Sequence, residues 1–193
     1  VENDRRSLRT RRLLGHALIE LIQEKRYDKI TVQDIIDRAD VGRSTFYAHY
    51  LDKEDLLTSQ FVEVLDFFSQ HLQMGASNSD PHMNVKALFR HVQEFQPTYD
   101  AMLWGRGVEL LYQQGQAFLS KRIEVDLVAM QGAGKQPSVP TAILATHIAN
   151  TLVMLLRWWL ENKMPYSIER MDEIFHQLVM PSVQAAFANS AQA

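Results

Sequence analysis

Between Arg43 and His49 the chain sets a guanidinium, two hydroxyls, a phenol and an imidazole within a single short stretch, Arg-Ser-Thr-Phe-Tyr-Ala-His. Phe46 and Tyr50 lie four apart, the spacing of an inward pair on one helix face, which leaves Arg43, Ser44, Thr45, Tyr47, Ala48 and His49 outward. Such groups suit a nucleic-acid duplex. Arginine can address guanine O6 and N7 in the major groove, threonine offers a methyl or a hydroxyl, and tyrosine and histidine donate to phosphate oxygens. Base reading is therefore expected of Arg43, Ser44 and Thr45, and phosphate contact of Tyr47 and His49. Lys53, in the first turn of the next helix, can hold a phosphate together with nearby backbone N–H groups. Arg5, Arg6, Arg9, Arg11 and Arg12 crowd the start of the chain. As an arm or a first helical turn they reach phosphates or the adjacent minor groove, although a solvated charged helix end explains any single one equally well. Arg9 is taken as their representative in the candidate contact set, and Thr31, whose plainest role is a helix cap, completes it.

Other chemistries find less support. Seven histidines invite a metal reading, but a helical di-iron bundle needs two Glu-x-x-His pairs with further glutamates, and the chain has one, Glu173 to His176. HExxH and GxSxG are absent, and Gly132-Ala-Gly134-Lys135 is too short for a phosphate-binding loop. The chain has no cysteine, hence no disulfide framework, thiolate zinc site or cysteine nucleophile. No catalytic set, no metal and no cofactor is expected.

The outward side chains need a scaffold, and the periodicity supplies one. Apolar residues recur at helical spacing almost throughout and alternation with a period of two is nearly absent, so the fold expected is all-α. Leu14, Ala17, Leu18, Leu21 and Ile22 stripe a helix from about Ser7 to Lys25. Thr31 stands three before Asp34 as a capping box, with Ile30 and Ile35 at hydrophobic-staple spacing, so a short helix starts at Val32 and stops near Asp40. Asp40-Val41-Gly42 then makes a tight corner in which Asp40 and Gly42 tolerate left-handed or capping conformations. The second short helix runs from Arg43 to His49. The capping pattern recurs at Asp52 and Asp55, with Leu51 and Leu56 as a second staple, opening a long helix through about residue 74. Two short helices joined by a tight corner and held against a longer one form a helix-turn-helix.

Residues 30–57, ITVQDIIDRADVGRSTFYAHYLDKEDLL, resemble the DNA-binding domain of the TetR family of bacterial transcriptional regulators. The matching positions are Ala39, Val41, Arg43, Thr45, Phe46, Tyr47, Lys53, Glu54 and Leu56. Asp40 stands where a glycine is usual and Gly42 where a serine is common. The resemblance implies a three-helix helix-turn-helix domain over residues 1–52, joined by the helix 53–74 to a helical ligand-binding and dimerisation domain over 75–193. It also implies a double-stranded DNA operator, a small-molecule effector and repression as the outcome.

The polar stretch 75–84 with Pro81 marks the expected boundary, and helices are expected near 85–96, 98–105, 108–131, 140–163 and 168–188. The 140–163 helix is apolar around most of its circumference and must be covered on more than one side, so it and 168–188 are expected to build a homodimer from two copies. Phe95, Tyr99, Trp104, Tyr112, His147 and Trp158 are candidates to line an effector pocket, with core packing the plainer account of each. The formal charge of -3 excludes a polycation, and residues 1–60 hold 11 basic against 11 acidic residues, so any basic surface must be local. Val1 to Arg12 lacks the apolar core of a signal peptide, and residues 136–156 carry too many polar groups for a comfortable membrane span, so a soluble cytoplasmic protein is expected. Two alternatives stay open: a protein-binding coactivator on the same fold without DNA binding, and a helical metal-dependent enzyme.

Overall fold

Leu14, Ala17, Leu18, Leu21 and Ile22, the first apolar stripe, are all buried in the computed structural model, which describes residues 2–69, 83–102, 106–131 and 137–188. They lie on α1 (Glu2–Glu24), which begins five residues earlier than the periodicity suggests. A 3-10 turn, Tyr27–Lys29, leads to α2 (Val32–Ala39), α3 (Arg43–Tyr47) and α4 (Lys53–Ser69). Then follow α5 (Lys86–Glu94), α6 (Gln96–Met102), α7 (Arg106–Gln131), α8 (Thr141–Glu161) and α9 (Ile168–Ala188). The fold is all-α, with an N-terminal helix-turn-helix and a C-terminal helical region, and no strand occurs among the described residues.

The chain divides into two compact units, residues 1–64 with 95–114, and residues 65–94 with 115–193. This division differs from a single break near residue 75, because 95–114 returns to the helix-turn-helix. Met102 and Leu111 join the core built on α1, and Gln23 Nε2 donates to Thr98 Oγ1 at 3.1 Å. Gly107 is needed there: a Cβ on it would lie 2.9 Å from Cδ1 of Tyr27, a ring buried in the same core.

In the second unit, α8 and α9 pack with α5 around Phe89, Trp159 and Phe175, all fully buried, with Phe89 and Trp159 edge to face at 5.3 Å. Trp159 Nε1 donates to the carbonyl of Tyr166, satisfying the buried indole. Pro140 is the N-cap of α8, and α9 continues through Pro181. By length and composition α8 is apolar enough to cross a membrane, with a mean hydropathy of 1.3, a closer approach to that class than its Thr, His and Asn content suggests. Such a helix is equally what the core of a helical protein contains.

Candidate nucleic-acid interface

The capping box at the start of α2 is formed in full. Asp34 N–H donates to Thr31 Oγ1 at 3.1 Å, and Thr31 N–H donates to Asp34 Oδ2 at 2.7 Å. The Lys25 ammonium lies 2.9 Å from the same carboxylate oxygen. Lys25 first, then the Thr31 N–H and hydroxyl, hold the Asp34 carboxyl down at about 2. Ile30 and Ile35 are buried, as the staple requires. Thr31 is thereby committed to the cap, and its side chain positions α2.

Asp40 carries the corner with φ 51° and ψ 50°, the left-handed region that Asp tolerates, while Gly42 is the extended N-cap of α3 at φ -72°. Glycine is therefore not demanded at 42 by conformation, and an added Cβ would meet nothing closer than 3.7 Å. Val41 packs half-buried against the core. The second staple does not form: Leu56 is buried but Leu51 is 82% exposed. Asp52 still caps Asp55 N–H at 2.8 Å, but the Asp55 carboxylate returns to Leu51 N–H at 3.0 Å, one residue earlier than a reciprocal box, and this turns Leu51 outward.

Helix α3 ends at Tyr47 with Ala48 as its cap, so His49 lies on the following turn rather than on the helix. Phe46 is fully buried and Tyr50 nearly so, while Arg43, Ser44, Tyr47 and Ala48 are exposed and Thr45 and His49 half-buried. The outward groups separate onto two sides. Arg43 Nη1 donates to Gln33 Oε1 of α2 at 3.4 Å and stacks over the Tyr47 ring at 5.8 Å. Ser44, Thr45, Ala48 and His49 instead join Arg6, Ser7 and Thr10 of α1 around a concavity of about 520 Å³. Gln33, Ser7 and Thr10 were not legible as site residues, because their membership depends on which faces of α1 and α2 meet α3. Arg9 is exposed on α1 but does not line the concavity.

Lys53 is placed differently from the sequence expectation. Its ammonium donates to the carbonyls of Ile30 at 2.8 Å and Tyr27 at 3.1 Å, and lies 4.6 Å from the Tyr27 ring centroid. Two of its three donors are used on the chain's own backbone, so the residue ties the start of α4 to the 3-10 turn.

Ion pairing gives the evenly charged head a polarity. Lys25 pairs with Asp34, Arg26 with Asp28, and Arg38 with Glu20 and Glu24. The Arg38 hydrogen bond holds the Glu24 carboxyl below its usual range. Among the described residues of the head, Arg5, Arg6, Arg9, Arg11, Arg12, Lys29, Arg43 and Lys53 carry no ion pair, and six of these eight lie at the start of α1 and on α3. That distribution suits a polyanion approaching α3.

The candidate effector-pocket residues are not gathered in one unit. Phe95, Tyr99 and Tyr112 belong to the first, His147 and Trp158 to the second, and Trp104 lies outside the described residues. Phe95 is 50% exposed; burial pushes the Tyr99 phenol above its usual value. His147 and Trp158 are exposed on α8, with Trp158 stacked on Tyr166 at 6.0 Å. A buried carboxylate in the second unit is one that patterning did not single out: Asp172, with Oδ2 3.6 Å from Lys86 Nζ and Oδ1 3.5 Å from His176 Nδ1. No group of three or more metal-ligating side chains occurs among the described residues.

Known proteins show the same pattern. A family model described as bacterial regulatory proteins, tetR family, matches residues 16–59, and one described as a transcriptional regulator C-terminal region matches residues 79–181. The uncharacterized HTH-type transcriptional regulator YxbF of Bacillus subtilis (strain 168) is 36% identical over 78 residues, 40% of this chain and 20% of that protein. The HTH-type dhaKLM operon transcriptional activator DhaS of Lactococcus lactis subsp. lactis (strain IL1403) is 31% identical over 68 residues, 33% of this chain and 36% of that one. The matches thus span a fifth to about a third of these relatives' lengths. Among solved structures, a TetR transcriptional regulator from Streptococcus agalactiae 2603V aligns with a TM-score of 0.57 at 26% identity, covering 92% of this chain and 97% of that one.

Proposed function

Because the chain belongs to the tetR family of bacterial regulatory proteins, we propose that this transcriptional regulator is a homodimeric, effector-responsive repressor. Each protomer presents α3 to one half-site of a pseudo-palindromic operator. The observation that carries the reading is the surface of α3. Phe46 on it and Tyr50 just after it are buried, while Arg43 is exposed beside Gln33 of α2 and Ser44 is exposed beside Arg6 of α1. In this reading Arg43, Ser44 and Thr45 face base edges, and Tyr47, His49 and Arg9 approach phosphates. Thr31 and Lys53 hold the helices that present them.

Pairing of two copies is supported by α8. Ile143, His147, Asn150, Met154 and Trp158, spaced 4, 3, 4 and 4 residues apart, form an exposed stripe along it, and Leu178 of α9 is 49% exposed. A second copy covering these faces gives a four-helix interface and the two-fold axis a palindrome requires. The effector acts through the C-terminal helical region, and its leverage on DNA binding equals its differential affinity for the two states. The protein works in the cytoplasm and catalyses no reaction. The related DhaS is named an activator, so activation is the second reading of the regulatory sign.

Selection from a random duplex library with the full chain tests the proposal. The enriched sequences should be pseudo-palindromic, with half-site centres one helical turn, about 10–10.5 base pairs, or a multiple of it apart. Failure to enrich any sequence would overturn it.

A further inference from the structure

We infer that Gln33 is a positioning residue for base reading: its amide, oriented by Asp37, holds the Arg43 guanidinium toward α2 and so fixes which base pair Arg43 addresses. The inference rests on the DNA-binding reading above and gives α2 a part in specificity that the residues of α3 alone do not supply. Gln33 and Asp37 stand four apart on α2, both exposed and on one helix face. Gln33 Nε2 donates to Asp37 Oδ1 at 2.7 Å, and Gln33 Oε1 accepts from Arg43 Nη1 at 3.4 Å. A single orientation satisfies both neighbours. An ionised carboxylate can only accept and a guanidinium can only donate, so turning the amide over would set its NH2 against Arg43 and its oxygen against Asp37.

A ring confines the guanidinium as well. Arg43 Cζ lies 5.8 Å from the centroid of Tyr47, four residues on, and Tyr47 packs edge to face at 5.3 Å against the fully buried Phe46. An exposed arginine is thereby held between an amide fixed from α2 and a ring fixed on the core. Of its five N–H donors the Gln33 bond engages one, which leaves the two that guanine O6 and N7 require. That bond is also easily exchanged, since 3.4 Å exceeds the usual range of about 2.7–3.2 Å and a guanine can compete for the group. What Gln33 supplies is order before encounter: a long side chain already held near its reading pose loses less rotamer freedom on binding.

The test replaces each base pair of one half-site of the selected operator in turn and measures the affinity of the full chain. Arg43→Ala, Gln33→Met, Asp37→Ala and the double variant of Gln33→Met with Arg43→Ala stand beside the wild type. Arg43→Ala marks the base pair at which preference is lost. Gln33→Met should lower preference at that same base pair by about 2- to 10-fold, the worth of ordering one long side chain, and leave the other base pairs unchanged. Asp37→Ala should act in the same direction; because preference is a ratio, the general gain from removing a negative charge near DNA cancels. The double variant should be no worse than Arg43→Ala alone, since Gln33 acts only through the arginine. A loss at a different base pair, or additive losses in the double variant, gives Gln33 a base of its own and overturns the positioning role. So does an unchanged preference in Gln33→Met. A wild type without preference at any base pair overturns the DNA-binding reading as well.

Discussion

The ammonium of Lys53 donates to the carbonyl oxygen of Ile30 at 2.8 Å, across 23 residues of chain. With Tyr27 as second acceptor and as the ring beneath the charge, this contact locks the first turn of α4 onto the segment that feeds α2. Lys53→Met should therefore lower unfolding stability by about 1–3 kcal/mol, the range of a charge-assisted hydrogen bond. The salt slope of DNA binding should stay unchanged. Urea unfolding and a salt titration decide between this and a direct phosphate contact, which would make the slope shallower with little loss of stability.

The Asp34 carboxyl, held at about 2 in the folded chain, is ordinary at 3.8 when unfolded. A depressed folded value gives stability that is complete above the unfolded value and is lost as pH falls through the folded one, so the window runs from about pH 4 down to 2. The carboxylate is half-buried, with a third of its side chain exposed, and its Lys25 partner is screened by salt, so the effect should shrink in high KCl. Urea midpoints of the wild type and Asp34→Asn should converge as pH falls through this window, and parallel curves would contradict the assignment.

The corner of the helix-turn-helix makes unequal demands on its two small residues. Asp40→Val puts a β-branched side chain at φ 51° and should cost about 1–2 kcal/mol, whereas Asp40→Gly should be neutral or stabilising. Gly42→Ser, at an extended N-cap with open space, should be stabilising by a few tenths of a kcal/mol. Thermal melts of the three variants test the order, which reverses if Gly42 and not Asp40 carries the conformational strain.

Met154 and Ile143, 49% and 61% exposed on α8, mark the face assigned to the second copy. Met154→Glu should convert the protein to monomer in light scattering and weaken operator binding, since each half-site then binds alone. Dimers that persist with Ile143→Glu and Met154→Glu combined would place the interface elsewhere.

Much of the helix-turn-helix was readable in the sequence because its signals are local. A cap three residues from its partner, an αL-tolerant Asp and an inward pair four apart all act within one turn, and Thr31, Asp40, Phe46 and Tyr50 take the roles that spacing implies. In the C-terminal region α5 to α9 lie close to the stretches that periodicity marks. Contacts set by distant chain were not readable. The carbonyls that capture Lys53, the Gln33 amide against Arg43 and the α1 wall beside Ser44 are products of packing. Leu51 failed as a staple because Asp55 chose the N–H of Leu51 over that of Asp52, a competition between two neighbouring donors that spacing cannot rank. The effector site stayed illegible for a further reason: aromatic residues suit core and pocket alike, and the buried carboxylate of Asp172 sits in an otherwise apolar helix face.

If α3 reads base edges through Arg43, the ratio of operator to unrelated-duplex affinity at one salt concentration must separate the wild type from Arg43→Ala. The substitution should erode this ratio by about 1–3 kcal/mol per head, with the loss confined to one base pair of each half-site. A ratio that survives the substitution, or an equal loss on both duplexes, would contradict it.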